Sequence, residues 1–316
     1  MKILVTGACG FIGFHISKFF LDKNIDIVGI DNLNAYYSVK LKKDRLKILK
    51  KFNNFKFIKV DLENKKKIKK IFSSNKFDYI FHMAAQAGVR YSINEPRKYI
   101  DSNVIGFYNI LELSKNYKVK RLFYASSSSV YGDTKKFPLK ENNKLSPNNT
   151  YSLTKKFNED ISKVFNKYYG LKLIGLRFFT VYGEWGRPDM FISKLILSNL
   201  KKKKFSLNNF GNHFRDFTYI GDVVEILYRL LRKKIKSSNE IFNICSNKPL
   251  NLHYVIKKIE KHLGKVKIIK RKLQQADVIK THGSNKKVNK AASFKNYKKF
   301  EEGLKKTIEW SKEYYQ

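Results

Sequence analysis

The chain has 316 residues, 42% apolar and 15% aromatic, enough for one enlarged α/β unit or two lobes around a substantial core. Cys9 and Cys245 are far apart with no CxxC pair, which argues against a zinc site or disulfide framework; the first residues lack a signal-peptide layout and no apolar run approaches the ~18 residues of a membrane span, so a cytoplasmic, metal-free chain is expected. Against 26 acidic residues stand 66 basic ones, a net charge of +40, but lysines in scattered short runs (Lys65–Lys67, Lys201–Lys204, Lys233–Lys234) outnumber the arginines that read nucleic acids best, so no specific nucleic-acid or membrane partner is expected.

Lys2 to Thr6 is a short β-rich run, followed directly by Gly7-Ala8-Cys9-Gly10-Phe11-Ile12-Gly13. Ile12, Ile16, Phe19, Phe20 and Leu21 then mark the apolar face of a helix. In a strand–turn–helix context, Gly7, Gly10 and Gly13 let the chain approach a dinucleotide pyrophosphate, and the N–H groups at the helix start, Phe11 and Ile12, bind it. The spacing is GxxGxxG rather than GxGxxG. Ile25 to Ile30 is a second strand ending at Asp31-Asn32. A carboxylate there takes both hydroxyls of an adenosine ribose and repels a 2′-phosphate, favouring NAD over NADP. Phe55 to Val60 is a third strand ending at Asp61-Leu62, placed to reach the adenine, and Lys65 to Phe72 is helical. Phe77 to Met83 is a fourth strand; the small residues of Ala84-Ala85-Gln86-Ala87-Gly88 after it admit a cofactor close to the backbone. A long helix from about Pro96 to Tyr117 carries Asn103.

Arg121 to Ser126 is a fifth strand and delivers Ser126-Ser127-Ser128-Ser129 to the sheet's carboxyl edge. The next helix, running to about Tyr169, holds Tyr151 and Lys155 four apart and so on one face. A phenol is a poor base at neutral pH, its ordinary pKa being about 10. An ammonium beside it lowers that value toward the range of general acid–base catalysis. A hydroxyl from the serine run on another element can hydrogen-bond the same substrate oxygen. Leu171 to Phe178 is a sixth strand. Beyond it, Thr180 to Pro188 reads as a glycine-rich loop, Asp189 to Leu200 as a helix, and Asn208 to Thr218 as a loop holding Arg215-Asp216. Two helices and two short strands are expected to finish the chain, with Ile241 to Cys245 a candidate to rejoin the main sheet. The alternation predicts an α/β, doubly wound parallel sheet of the Rossmann type over residues 1–179 and a smaller substrate-binding lobe over 180–316. His82 and His213 stand alone and read as core or surface residues.

The set Gly7-x-x-Gly10-x-x-Gly13, Asp31, Asp61-Leu62, Ala84-Ala85, Ser127, Tyr151-x-x-x-Lys155, Arg177 to Gly183 and Arg215-Asp216-Phe217 resembles the extended short-chain dehydrogenase/reductase family, specifically its nucleotide-sugar 4-epimerases. Ala85 to Ser92, Ser126 to Gly132 and Trp185 to Met190 are similar to the UDP-glucuronate 4-epimerases. The resemblance implies a homodimer that recycles bound NAD, with Asn32, Gln86, Asn103 and Phe178 joining the cofactor residues above. Tyr151 would take the proton from the hydroxyl on carbon 4, Ser127 would share that oxygen, and Lys155 would hold the nicotinamide ribose. Arg187 and Arg215 would face the diphosphate, since guanidinium forks match phosphate oxygens; Arg90 would face either phosphate or a sugar carboxylate. Ser128, Ser129 and Thr180 would hold that carboxylate, Ser128 and Ser129 standing where dehydratases and decarboxylases carry acidic residues. Gln274 and Asp277 would lie on the uridine side, in a segment, Leu273 to Val278, that departs from the family's usual Gln-Pro-Gly-Asp-Val. The implied reaction interconverts UDP-glucuronate and UDP-galacturonate, with UDP-glucose/UDP-galactose 4-epimerase or UDP-glucuronate decarboxylase as the alternatives.

Overall fold

The computed structural model describes residues 1–274 and 277–316. Seven strands form its central sheet: β1 (Lys2–Thr6), β2 (Asp26–Asp31), β3 (Phe55–Lys59), β4 (Tyr79–His82), β5 (Arg121–Ser127), β6 (Leu173–Phe178) and β7 (Asn239–Ile244). Every pairing is parallel, in the spatial order β7-β6-β5-β4-β1-β2-β3. The chain starts mid-sheet, winds outward to β3, then crosses back to β4 and winds the other way. The reversal falls between β1 and β4, where Thr6 lies opposite His82.

A parallel sheet covered on both faces needs strands apolar throughout. In β1, Ile3, Leu4 and Val5 are all fully buried. Because successive side chains point to opposite faces, Ile3 and Val5 join one core layer with Phe81 and Phe123, while Leu4 joins the other with Ile80 and Leu122. Phe81 and Phe123 stack on neighbouring strands with centroids 4.5 Å apart. The first layer packs under the helices Phe11–Leu21 and Ile220–Arg232, the second under Lys65–Ser73 and Gly106–Asn116.

The structure corrects the sequence reading in four places. A helix at Val39–Leu49 was not expected: its buried face carries Lys42 and Arg45 among Leu41, Leu46 and Leu49, so two cations break the apolar period. The long helix is interrupted, Pro96–Tyr99 passing through a π-helical stretch at Ile100–Ile105 before Gly106–Asn116. Within the two expected loops, Thr180–Tyr182 and Phe214–Tyr219 are strands that pair with each other, and Phe214–Tyr219 also pairs with Pro249–Asn251. After Tyr219 the described residues hold four helices rather than two: Ile220–Arg232, Leu252–Leu263, Lys286–Ala292 and Phe300–Tyr315. Three strands accompany them, and one is β7, which pairs with β6 from Asn239 to Ile244.

Candidate active site

A cavity of about 460 Å³ lies over the carboxyl edge of the sheet. Its wall includes Gly7, Gly10, Phe11, Ile12, Gly13, Asp31, Asn32, Leu62, Ala84, Ala85, Gln86 and Phe178 at one end. The same wall holds Ser127, Ser128, Ser129, Tyr151, Lys155, Thr180, Arg187, Arg215 and Asp277. Four expected site residues are not part of it: Asp61, Asn103, Arg90 and Gln274.

The dinucleotide end is built on close approach. Gly7 sits at φ +69°, and a Cβ on Gly13 would stand 2.1 Å from the Gly7 carbonyl oxygen, so the helix start reaches the turn only without side chains. The helix Phe11–Leu21 has no side-chain cap at Gly10, which leaves its first N–H groups facing the cavity. Asp31 accepts from the Cys9 N–H at 3.0 Å and the Leu33 N–H at 2.8 Å through different oxygens, and each oxygen keeps a lone pair for a ribose hydroxyl. The donor set and the cradle fit NAD. Asp61 instead accepts from the Asn32 amide at 2.5 Å and orients that residue. Asn103 braces the turn after β4: its oxygen accepts from the Gln86 N–H at 2.8 Å, and its amide donates to the Gln86 carbonyl and to Thr154 on the helix Thr150–Tyr169.

Lys42, Tyr36 and Tyr37 also line this end, and the sequence reading missed them. Lys42 donates to the carbonyl and side chain of Asn34. Arg45, fully buried, donates to the Cys9 carbonyl at 2.8 Å, the Tyr37 hydroxyl at 2.7 Å and the Trp185 carbonyl, tying the glycine turn to two loops. Tyr36 donates to Asp189 at 3.3 Å and lies under the Arg187 guanidinium. The only sequence signal was the polar, tyrosine-bearing run Asn32 to Ser38 after β2.

At the catalytic centre the helix Thr150–Tyr169 starts on a capping box in which Asn149 and Ser152 satisfy each other's backbone. This fixes the first turn, where Tyr151 sits. Ser127 Oγ accepts from the Ser129 N–H at 3.2 Å and the Ser129 hydroxyl at 3.0 Å, so its own proton is left to donate. Lys155 is 1% exposed and donates to the Ala125 carbonyl at 2.8 Å; burial pulls its pKa down to about 7. Burial raises the Tyr151 pKa, with the Ser127 hydroxyl and Arg187 pulling it back. The expected lowering of the phenol by the lysine is therefore not what this geometry shows. The ammonium is held by a carbonyl, and Ser127 and Arg187 are the groups that favour the phenolate.

The remaining cations divide clearly. Arg90 is bidentate to Asp277, with contacts of 2.7–3.0 Å. Arg187 pairs with Asp189 at 2.6 Å. Arg215 donates to the Phe214 and Ile279 carbonyls at 2.9 and 3.0 Å, and no carboxylate among the described residues pairs with it; burial pulls its pKa down to about 10. Gln274 donates to the Lys272 carbonyl; Gln275 and Ala276, beside it, lie outside the described residues.

A dinucleotide cradle opening onto a Ser–Tyr–Lys set defines an α/β enzyme of the short-chain dehydrogenase type. Residues 3–245 match the NAD dependent epimerase/dehydratase family, and the chain belongs to that family. Its cofactor is NAD. The chain is 40% identical over 315 residues to a UDP-glucuronate 4-epimerase of Thermodesulfobacterium geofontis, covering 98% of this chain and 96% of that one. Its structure matches that of a UDP-glucuronic acid 4-epimerase from Bacillus cereus in complex with UDP-glucuronic acid and NAD, at a TM-score of 0.95, 30% identity and full coverage of both chains. A UDP-glucose 4-epimerase from Thermotoga maritima bound to UDP-glucose matches at a TM-score of 0.91 and 28% identity, again over both full chains.

Two predictions follow from this geometry. Gly13→Ala puts a methyl against the Gly7 carbonyl, so the purified variant should carry far less NAD than the parent, measured as nucleotide released on denaturation. Lys155 titrates near 7 when folded, below the ordinary lysine value, so between about pH 7 and 10 the unfolded chain binds the extra proton and stability rises with pH. Lys155→Met removes the buried charge. Relative to the parent, its Tm should be most favourable near pH 6 and lose that advantage as the pH approaches 10; parallel Tm–pH curves would overturn the assignment.

Proposed function

We propose that the chain interconverts UDP-glucuronate and UDP-galacturonate by NAD-dependent 4-epimerisation. The observation that carries this reading is the chemistry of the wall around Tyr151. Hydroxyls stand there, from Ser127, Ser128, Ser129 and Thr180, while the three carboxylates of the wall are engaged: Asp31 with backbone N–H groups, Asp189 with Arg187, and Asp277 with Arg90. The catalytic end has no spare acid among the described residues.

Tyr151 removes the proton from the hydroxyl on carbon 4, and Ser127 donates to the same oxygen. Bound NAD supplies the hydride acceptor and donor at that carbon. Oxidation there turns a uronate into a β-keto acid, which loses carbon dioxide readily when the bond to the carboxylate stands perpendicular to the ketone plane. Ser128 and Thr180 hold the carboxylate out of that orientation and are too weakly acidic to protonate carbon 5. Ser129 commits its proton to Ser127 and so positions that hydroxyl instead. Arg215, which pairs with no carboxylate among the described residues, takes the diphosphate. Lys155, whose ammonium donates to the Ala125 carbonyl, binds the nicotinamide ribose with its remaining protons. A dehydratase needs a further acid–base pair, for which the wall offers no free carboxylate among the described residues.

The reading includes a cytoplasmic homodimer. Cys9 and Cys245 are free and buried, which suits a reducing compartment. Ile100, Ile105 and Tyr108 on one helical rod, and Leu153, Phe157, Val164 and Tyr168 on the next, are each at least 39% exposed. The two rods touch through Tyr108 and Phe165, so these residues form one apolar face, and a second copy would cover it as a four-helix interface.

Supplied separately with UDP-glucuronate and UDP-glucose, the protein should convert the first to UDP-galacturonate; dominant UDP-pentose or a clear preference for UDP-glucose would sink the assignment. Tyr151→Phe should abolish most turnover while NAD stays bound, and Thr180→Val should slow epimerisation and raise the pentose by-product. Leu153→Glu with Phe157→Glu should convert a dimer to a monomer by light scattering. A parent that already sediments as a monomer would refute the interface.

A further inference from the structure

Behind Tyr151 and Lys155 lies a buried ion pair that the proposed chemistry does not use. Glu159 follows Lys155 by one turn on the same helix, and its side chain is 2% exposed; Arg177, on β6, is 4% exposed. The guanidinium grips the carboxylate in a fork, Nε to Oε1 at 2.8 Å and Nη2 to Oε2 at 2.7 Å. Oε1 also accepts from Ser126 Oγ at 2.6 Å, and Ser126 immediately precedes Ser127. On its other side Arg177 donates to the Tyr131 hydroxyl at 2.8 Å, in the turn that begins with Ser128 and Ser129. Tyr131 in turn donates to Asn243 of β7 at 2.7 Å.

Stability alone does not account for this arrangement. Buried ion pairs are often matched or improved on by apolar residues of similar volume, because desolvation offsets much of their attraction. The position of this pair is more telling. Glu159 is rigidly joined to Lys155 and Tyr151 through the helix; it bonds Ser126 on the strand that carries Ser127, and its partner Arg177 bonds Tyr131 in the turn that carries Ser128 and Ser129. Neighbouring strand residues point to opposite faces, so anchoring Ser126 toward the helix sets the direction of Ser127.

We infer that the Arg177–Glu159 pair is a positioning device for the catalytic set: by clamping Ser126 and the helix to one guanidinium, it fixes how Ser127 and Tyr151 meet at one substrate oxygen. This rests on the catalytic reading of Tyr151 and Ser127 given above. Nothing in the pair touches substrate. Its effect is on turnover rather than on binding.

The test compares the NAD-loaded parent with Glu159→Leu/Arg177→Met and with Ser126→Ala. The double variant replaces the pair by apolar side chains of similar size and should keep its NAD content and a Tm near the parent's. Its KM should stay near the parent's while kcat falls about 100-fold, the loss expected from a misplacement of about 1 Å at the reacting groups. Ser126→Ala removes a single bond, so kcat should fall less, at unchanged KM and Tm. In both, the Ser127 bond that favours the phenolate loosens, so the rising limb of the kcat–pH profile should move to higher pH. A double variant with the parent's Tm and kcat would overturn the inference, as would Ser126→Ala with an unshifted profile and full kcat. Should the double variant not fold, Ser126→Ala decides alone. A parent inactive on every UDP-sugar defeats the proposed function; an active parent with unaffected variants defeats only the positioning role.

Discussion

The molecule depends on one topological constraint: β1 and β4 lie side by side, yet the connections that leave them go opposite ways. A right-handed crossover after each parallel strand covers one face of the sheet, so reversing the winding direction opens a crevice at the strand ends. Gly7 after β1 and Ala84 after β4 line that crevice, and their closeness is severe: a Cβ on Gly7 would stand 2.8 Å from the Ala84 backbone. The cofactor cradle is thus a by-product of strand order. Strands β5 and β6 continue the same edge outward and bring Ser127 and Phe178 into register as neighbours.

Charge is distributed on a second principle. The surface is strongly basic, but the cations that matter are few, buried and individually held. Lys42, Arg45, Lys155 and Arg177 are each at most 5% exposed, and only Arg177 has a bidentate carboxylate. The others are held by carbonyls and hydroxyls, which orient a cation without neutralising it. Of the four, Lys42 and Lys155 line the cavity, whose own carboxylates are occupied.

Much of this was legible in the chain. Strand positions, the glycine turn and the shared face of Tyr151 and Lys155 came from short-range pattern, because each is local to one element; Ser127, on β5, joined them through the family resemblance. What escaped depends on contacts between distant segments. Arg90 and Asp277 are 187 positions apart, and no spacing rule couples them. The polar Arg215, Asp216 and Thr218 make Asn208 to Thr218 read as a loop. Asp216 is nevertheless fully buried, satisfied by Ser246 and by the Gly283 N–H. The helix Val39–Leu49 escaped because its buried face includes two cations whose partners lie on other elements. At Lys155 the spacing correctly placed two side chains on one face, but the carbonyl that captures the ammonium belongs to β5.

Arg45 carries a consequence for how the dinucleotide end responds to change. One guanidinium ties the glycine turn, the tyrosine run and the Trp185 loop together. Three segments far apart in the chain therefore share a single buried anchor, and a substitution that frees one of them loosens the other two.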